Sequence, residues 1–151
     1  MLLAGDAAPS FTLPSAEGGG PVADPWAGGP VVVAFFKTTC PVCQQAAPKV
    51  QALADGGARV VAVGQDPPRA LQRYAQRYGQ HVETLSEPEP YGTSDAFGLT
   101  TVPSLVLVGA DGVVVDAVES WDRDGWNRLA AAAGVPEVSA PGDGLPAFRP
   151  G

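Results

Sequence analysis

The two cysteines of the chain lie where a strand pattern gives way to a helix pattern, and this junction constrains the fold more than any other feature. Val31–Phe36 is a continuous run of β-branched and aromatic residues, which is typical of a strand buried on both faces. Pro41 suits the first turn of a helix with Cys40 as its N-cap, and apolar residues at helical spacing follow. The sequence therefore predicts a central strand that leads into a helix, with Cys40 and Cys43 at the helix start.

Strand and helix patterns alternate along the rest of the chain. Apolar runs predict further buried strands at Arg59–Gln65 and Ser104–Val108, and a tight turn leads from the second of them back to Val113–Val118. Helical spacing predicts helices over residues 67–79 and 122–133. Strand–helix–strand units imply parallel strands, and the hairpin adds an antiparallel edge. We expect an α/β fold, a three-layer α/β/α sandwich with a mixed central sheet and an N-terminal extension.

The length of the chain favours a single domain with its own core. Its 151 residues fit one domain over residues 1–135, followed by a Pro/Gly-rich C-terminal tail over residues 136–151. The tail has no periodic pattern and leaves two alternatives open. It is either disordered or packed across a face of the domain by Leu145, Pro146 and Phe148.

Charge and hydropathy exclude several classes of partner. The net charge of −7 argues against nucleic acid, because phosphate binding needs a basic surface. No stretch of about 18 apolar residues predicts a membrane span. The start, Met1–Asp6, lacks the basic and apolar regions of a signal peptide, so we expect a cytoplasmic protein unless a signal precedes this chain. The expected oligomeric state is a monomer.

The cysteine spacing indicates redox chemistry. A cysteine at the first turn of a helix faces unpaired backbone N–H groups and the positive end of the helix dipole, which favour the thiolate. We therefore expect Cys40 to be the nucleophile and Cys43, one turn later, to be the resolving thiol. Lys37 is a candidate source of further positive potential. The predicted redox group is the Cys40–Cys43 disulfide, with no other cofactor.

Two other roles for the cysteines stay open at this point. A Cys-x-x-Cys pair is half of many zinc sites, but the chain has no further cysteine and a single histidine, His81. A structural zinc ion would therefore need two chains, and inert cysteines are the remaining alternative. His81 itself is expected at the surface. Glu83, Glu87 and Glu89 are expected to form a solvated acidic loop among prolines.

Three segments resemble the thioredoxin superfamily. The segment Val31–Pro48 resembles its active-site strand and helix, and Val102-Pro103 before an apolar strand resembles its cis-proline loop, which faces the cysteine pair. The segment Gly5–Leu13 is similar to the opening of the redoxin branch, which includes TlpA/ResA-like oxidoreductases and peroxiredoxins. The resemblance covers roughly residues 5–133. It implies a thioredoxin-like fold and a thiol–disulfide oxidoreductase.

The resemblance also implies partners and a binding edge. Backbone beside Val102 and Pro103 would accept a substrate segment as an added strand. The partners would be a protein or small-molecule disulfide or dithiol and an unidentified electron donor. The two residues between the cysteines, beginning with Pro41, would tune the reduction potential.

Several positions depart from the patterns of the family. Thr39 precedes the first cysteine where thioredoxins usually have tryptophan, and Ala34 and Gln65 stand where related proteins have a buried acid. Asp66 is the remaining candidate for the proton acceptor of Cys43, and the alternative role for Asp66 is a helix cap. The Pro-x-x-x-Thr-x-x-Cys pattern of peroxiredoxins is absent before either cysteine. This absence disfavours a peroxidase. A peroxiredoxin-like peroxidase is the alternative function, and a metal-binding or interaction module with a thioredoxin fold is a third.

Overall fold

The computed structural model describes all 151 residues and contains nine strands and four α-helices. None of the helices is long and apolar enough to cross a membrane. The strands are β1 (Thr12–Pro14), β2 (Pro21–Ala23), β3 (Val31–Phe36), β4 (Val60–Gly64), β5 (Glu83–Ser86), β6 (Ser104–Val108), β7 (Val114–Glu119), β8 (Trp121–Asp122) and β9 (Phe148–Arg149). The helices are α1 (Pro41–Asp55), α2 (Pro68–Tyr78), α3 (Gly92–Ala96) and α4 (Arg123–Ala132).

Five strands form the central sheet in the order β5-β4-β3-β6-β7. Strand β3 lies in the middle, parallel to β4 and antiparallel to β6. Strand β5 is parallel to β4, and β7 is antiparallel to β6, as the hairpin turn predicts. Because all six residues of β3 are buried, its continuous apolar run is covered on both faces. The predicted mixed sheet and its central strand are confirmed.

A separate apolar core covers each face of the sheet. Val32, Ala34 and Phe36 alternate along β3 toward the core formed with α1, α2 and α4. The residues between them face the second core, which the N-terminal extension and the α3 region complete with Phe11 and Phe97. This alternation follows from the two-residue period of a strand, and it gives the predicted three layers.

The C-terminal tail is ordered and packs on the domain. Val138 is buried in the same core as α1 and α4, and Leu145 packs against that core. The indole Nε1 of Trp121 donates a hydrogen bond of 2.7 Å to the Pro146 carbonyl, and β9 pairs with β8. Phe148, in contrast, is 58% exposed. Of the two alternatives for the tail, packing is the one found, and Leu145 and Pro146 carry it rather than Phe148.

Candidate active site

Cys40 lies where the central strand ends and α1 begins. It is the N-cap of α1, and its sulfur accepts a hydrogen bond of 3.1 Å from the backbone N–H of Cys43. Pro41 takes the first helical position, where its missing N–H costs no hydrogen bond. Both cysteines are free thiols, with Cys40 half-buried and Cys43 buried. The predicted placement of both residues at the helix start is confirmed.

Two side chains hold the loop that precedes Cys40. The Asp66 carboxylate accepts a hydrogen bond of 2.8 Å from the backbone N–H of Thr38, and the Gln44 amide donates one of 2.9 Å to the Thr38 carbonyl. Asp66 does not cap α2, since the N-cap of that helix is Pro67 and it has no side-chain cap hydrogen bond. The cap role is therefore wrong, because the Asp66 carboxylate is already bound to an N–H on a different loop.

The hydrogen bonds around Cys40 stabilise its thiolate. The side-chain hydrogen bond with Cys43 contributes most, and the backbone N–H groups of Cys43 and Val42 and the charge of Arg149 add to it. Against the opposing effect of burial, these contacts lower the pKa of Cys40 to about 6. A free cysteine has a pKa of about 8.5, so most of Cys40 is ionised at neutral pH. Cys40 is therefore equipped to be the attacking thiol.

Cys43 has the opposite electrostatic environment. Its side chain is only 2% exposed. The side-chain hydrogen bond to Cys40 and burial together raise the pKa of Cys43 above that of an ordinary thiol. At neutral pH it therefore stays a protonated thiol beside the Cys40 thiolate. The two sulfur atoms therefore differ in protonation at neutral pH.

We expect the alkylation rate of Cys40 to reach half its maximum near pH 6. Only the thiolate reacts, so the rate should fall about tenfold for each pH unit below that midpoint and change little above neutral pH. The measurement is iodoacetamide labelling of the reduced protein followed by peptide mass analysis. In Arg149→Gln the midpoint should move to higher pH, because one stabilising charge is lost. A wild-type midpoint near 8.5 would contradict this description of Cys40.

The loop before β6 lies against the cysteine pair, although it is some 60 residues away in the chain. The peptide bond between Val102 and Pro103 is cis. The Cys40 sulfur lies 3.6 Å from the Val102 carbonyl oxygen, to which it donates a long hydrogen bond when protonated. The structure thus brings Cys40, Cys43 and the Val102-Pro103 loop together at one end of the sheet.

A groove of about 400 Å³ runs beside Cys40. Pro41, Gln65 and Val102 line it together with Cys40, and so does Gly151 of the tail. A Cβ atom on Gly151 would collide with the Val102 carbonyl oxygen, so the tail backbone lies directly on this loop. The tail is therefore part of the wall around the reactive sulfur.

The two cations proposed or found near the site have different roles. The ammonium group of Lys37 lies over the ring of Tyr91, 5.9 Å from its centroid. Arg149 of β9 donates a hydrogen bond to Gln45 on α1, and its charge helps to lower the pKa of Cys40. Lys37 is not among the causes of that shift, and no sequence pattern pointed to Arg149. The cation found to act on the Cys40 pKa is thus Arg149, and the role expected for Lys37 stays a prediction.

Glu87 also differs from its expected position in a solvated loop. It is 1% exposed rather than solvated. Its carboxylate accepts hydrogen bonds of 2.7 Å and 2.6 Å from the backbone N–H and the hydroxyl of Ser94. The Gln65 amide donates to the same hydroxyl at 3.0 Å, and Gln65 and Ser94 both line the groove at Cys40. A buried acid is thus connected to the site through two polar side chains.

The other residues singled out in the sequence lie at the surface or in the core. Thr39 is exposed beside Cys40, and His81 is at the surface, as expected. Ala34 is buried in the core below α1. No group of three or more His, Cys, Asp or Glu side chains comes together in an arrangement that would hold a metal ion.

The chain is similar in sequence and in fold to several known proteins. The family model described as the AhpC/TSA family matches residues 4–117. The chain is 27% identical over 117 residues to the thiol-disulfide oxidoreductase ResA of Halalkalibacterium halodurans. That match covers 74% of this chain and 66% of ResA, just under two thirds of its length.

A mycobacterial protein and a solved structure are also similar. The chain is 31% identical over 132 residues to the "Putative peroxiredoxin Rv2521" of Mycobacterium tuberculosis, covering 77% of this chain and 84% of that protein. The thioredoxin domain of a thiol-disulfide oxidoreductase from Bacteroides vulgatus superposes with a TM-score of 0.73 at 19% identity, over 88% of this chain and 99% of that one. The predicted thioredoxin-like fold and the resemblance to the redoxin branch are confirmed.

Proposed function

The chain belongs to the AhpC/TSA family, and from that premise we propose that it is a thiol–disulfide oxidoreductase with Cys40 and Cys43 as its redox pair. The observation that carries the proposal is the geometry of Cys40, a half-buried N-cap sulfur with a buried second thiol one turn away. The similarity to the relative named ResA supports the same activity. The reduced Cys40 and Cys43 thiols supply the two electrons that reduce a disulfide, so the proposed reaction needs no further cofactor.

In the first step the Cys40 thiolate attacks one sulfur of a substrate disulfide. A bond forms between Cys40 and that sulfur while the substrate S–S bond breaks, and the other substrate sulfur leaves as a thiolate and takes up a proton. The lowered pKa of Cys40 keeps the attacking sulfur ionised at neutral pH. The product is a mixed disulfide between the protein and its substrate.

In the second step Cys43 loses its proton and attacks the Cys40 sulfur. The mixed disulfide breaks, the second substrate thiol is released with a proton, and a Cys40–Cys43 disulfide forms. The side-chain hydrogen bond to Cys40, together with burial, keeps Cys43 protonated and unreactive until Cys40 is bonded to the substrate. The protein has then lost two electrons and the substrate has gained them. The reverse sequence oxidises a dithiol substrate.

Val102 and Pro103 are the proposed binding edge for the substrate. The Val102 carbonyl lies within reach of the Cys40 thiol, so a peptide paired with this edge would place its own sulfur beside Cys40. The partners are a protein or small-molecule disulfide or dithiol, and a second redox partner that restores the pair.

The test of the proposed function is a redox titration. Without any added reductant, each molecule of reduced protein should convert one molecule of hydroxyethyl disulfide into two molecules of mercaptoethanol. The protein mass should then fall by that of two hydrogen atoms. In glutathione buffers the pair should titrate as one two-electron couple. If the two cysteines alkylate independently at every potential and never form a disulfide with each other, the proposal is wrong.

A peroxiredoxin-like peroxidase is the second candidate, because one curated relative carries that name at 31% identity. The discriminating measurement is hydrogen peroxide consumption by the same reduced protein. We expect oxidation by peroxide to be much slower than disulfide exchange, since the Pro-x-x-x-Thr-x-x-Cys pattern is absent before both cysteines. Faster reaction with peroxide than with disulfide would favour the second candidate.

A further inference from the structure

Helix α2 carries three arginines on one exposed face. Arg69, Arg73 and Arg77 follow each other at intervals of four residues, which places them in one stripe along the helix. The helix buries Leu71 and Tyr74 against the core. We call the three residues the α2 arginine stripe.

The α2 arginine stripe makes no ion pair within the chain. The four ion pairs of the protein involve Lys49, Arg59, Arg123 and Arg128, and none involves a residue of the stripe. The protein has nine basic side chains and a net charge of −7. A third of its basic side chains therefore lie, without an ion-pair partner, on one helix of an otherwise acidic molecule. Within the stripe, the Arg77 guanidinium lies over the ring of Tyr78, 5.4 Å from its centroid.

Arg73 and Arg77 of the stripe border a groove that extends to Thr39, the residue before Cys40. A groove of about 320 Å³ separates α2 from the loop before Cys40, with Arg73 and Arg77 on one side and Thr38 and Thr39 on the other. Thr39 immediately precedes Cys40 in the chain. A polypeptide that reaches Cys40 along this groove passes both guanidinium groups.

The same groove contains a polar atom without a partner. The Tyr74 side chain lines the groove and is 3% exposed, and its hydroxyl is the one buried side-chain polar atom in the protein that makes no hydrogen bond. Burial, followed by the charges of Cys43 and Cys40, raises the pKa of Tyr74, so the hydroxyl stays protonated at neutral pH. It is a buried hydrogen-bond donor without a partner, on a residue that lines the same groove as Arg73 and Arg77.

We propose that the α2 arginine stripe and its groove dock an acidic segment of the protein that exchanges disulfides with Cys40. Carboxylate side chains suit the site because the guanidinium groups of Arg73 and Arg77 can bind them in two-pronged hydrogen bonds. A long polyanion such as nucleic acid suits it poorly, because the overall charge of −7 repels it. This inference rests on the proposed function and assigns the partner's chemistry at the same site.

Charges at the rim of an interface act mainly on the rate of encounter and on its salt dependence. The stripe should therefore accelerate formation of the mixed disulfide with acidic partners. Arg73 and Arg77 are absent from the causes that lower the Cys40 pKa, so the stripe acts on the partner and not on the sulfur.

The experiment compares two synthetic cystine peptides that are identical except for flanking aspartates or flanking lysines. Reduced protein is mixed with each peptide, and the second-order rate of peptide reduction is measured at low salt and at high salt. We expect the acidic peptide to react about tenfold faster at low salt and the difference to disappear at high salt. Arg73→Glu should reverse the preference, and the double variant R73Q/R77Q should remove it.

The matched control is Arg128→Glu. Arg128 is an exposed helical arginine on α4, which packs on β7 at the opposite edge of the sheet from β5. The Arg128→Glu substitution changes the net charge by the same amount as Arg73→Glu, and the variant should still reduce the acidic peptide faster than the basic one. Equal rates for both peptides with wild-type protein, or the same loss of preference in R73E and R128E, would overturn the docking proposal. Failure of wild-type protein to reduce even uncharged hydroxyethyl disulfide would instead contradict the proposed function.

Discussion

Replacing Cys40 with serine is expected to slow disulfide exchange at least about a thousandfold, because a serine hydroxyl does not ionise near neutral pH and cannot attack sulfur. The Cys43→Ser variant should behave differently. It should attack the substrate through Cys40 but stop at the mixed disulfide, because the resolving thiol is missing. Single-turnover reduction of a cystine peptide, with the products separated by mass, measures both steps.

The two variants together test the assignment of roles and not merely the need for two sulfurs. A mixed disulfide that accumulates on Cys40 in Cys43→Ser supports the assignment. The same adduct on Cys43 in Cys40→Ser, formed at a comparable rate, would reverse it. Unfolding measurements on both variants serve as the control, since the substituted hydroxyl is close in size to the thiol.

Replacing Trp126 with alanine is expected to lower the free energy of unfolding by about 3–5 kcal/mol. Trp126 is fully buried at 0% exposed in the core between the sheet and α4. Its indole Nε1 donates a hydrogen bond of 2.9 Å to the Ser120 carbonyl, and its ring lies 4.9 Å from that of Trp121. Alanine removes both contacts and leaves a large cavity. Urea unfolding followed by far-UV circular dichroism measures the loss.

A smaller substitution separates packing from hydrogen bonding at this position. Trp126→Phe keeps an aromatic ring but removes the indole donor, so we expect a smaller loss of about 1–2 kcal/mol. Val115→Ala, at an exposed position of β7, should change the free energy by less than about 0.5 kcal/mol. A loss below about 1 kcal/mol for Trp126→Ala would contradict the packing described here.

The centre of the fold could be predicted because its signals are local. The apolar run of β3 requires cover on both faces, and Pro41 marks the first turn of α1 wherever the rest of the chain lies. The Val102-Pro103 loop could be associated with the cysteines only through the family resemblance, because no local pattern connects residues so far apart in the chain.

Glu87 and Arg149 could not be predicted for a physical reason. Glu87 lies among prolines and polar residues that resemble a solvated loop, but the N-cap of α3 is Tyr91, which offers no capping side chain. The carboxylate of Glu87 supplies that function by binding the Ser94 N–H, and this requires its burial. Arg149 reaches the site because β9 pairs with β8, a contact of two residues with no periodic signal.

The hydrogen bond between Trp121 and the Pro146 carbonyl has an optical consequence. Indole emission depends on the polarity around the ring, and the rings of Trp121 and Trp126 are in contact while the tail covers them. Trp26, the third tryptophan, lies in the core on the other face of the sheet and provides a constant background. A red shift of the intrinsic fluorescence without loss of secondary structure would therefore report release of the tail from the folded protein, with no label attached.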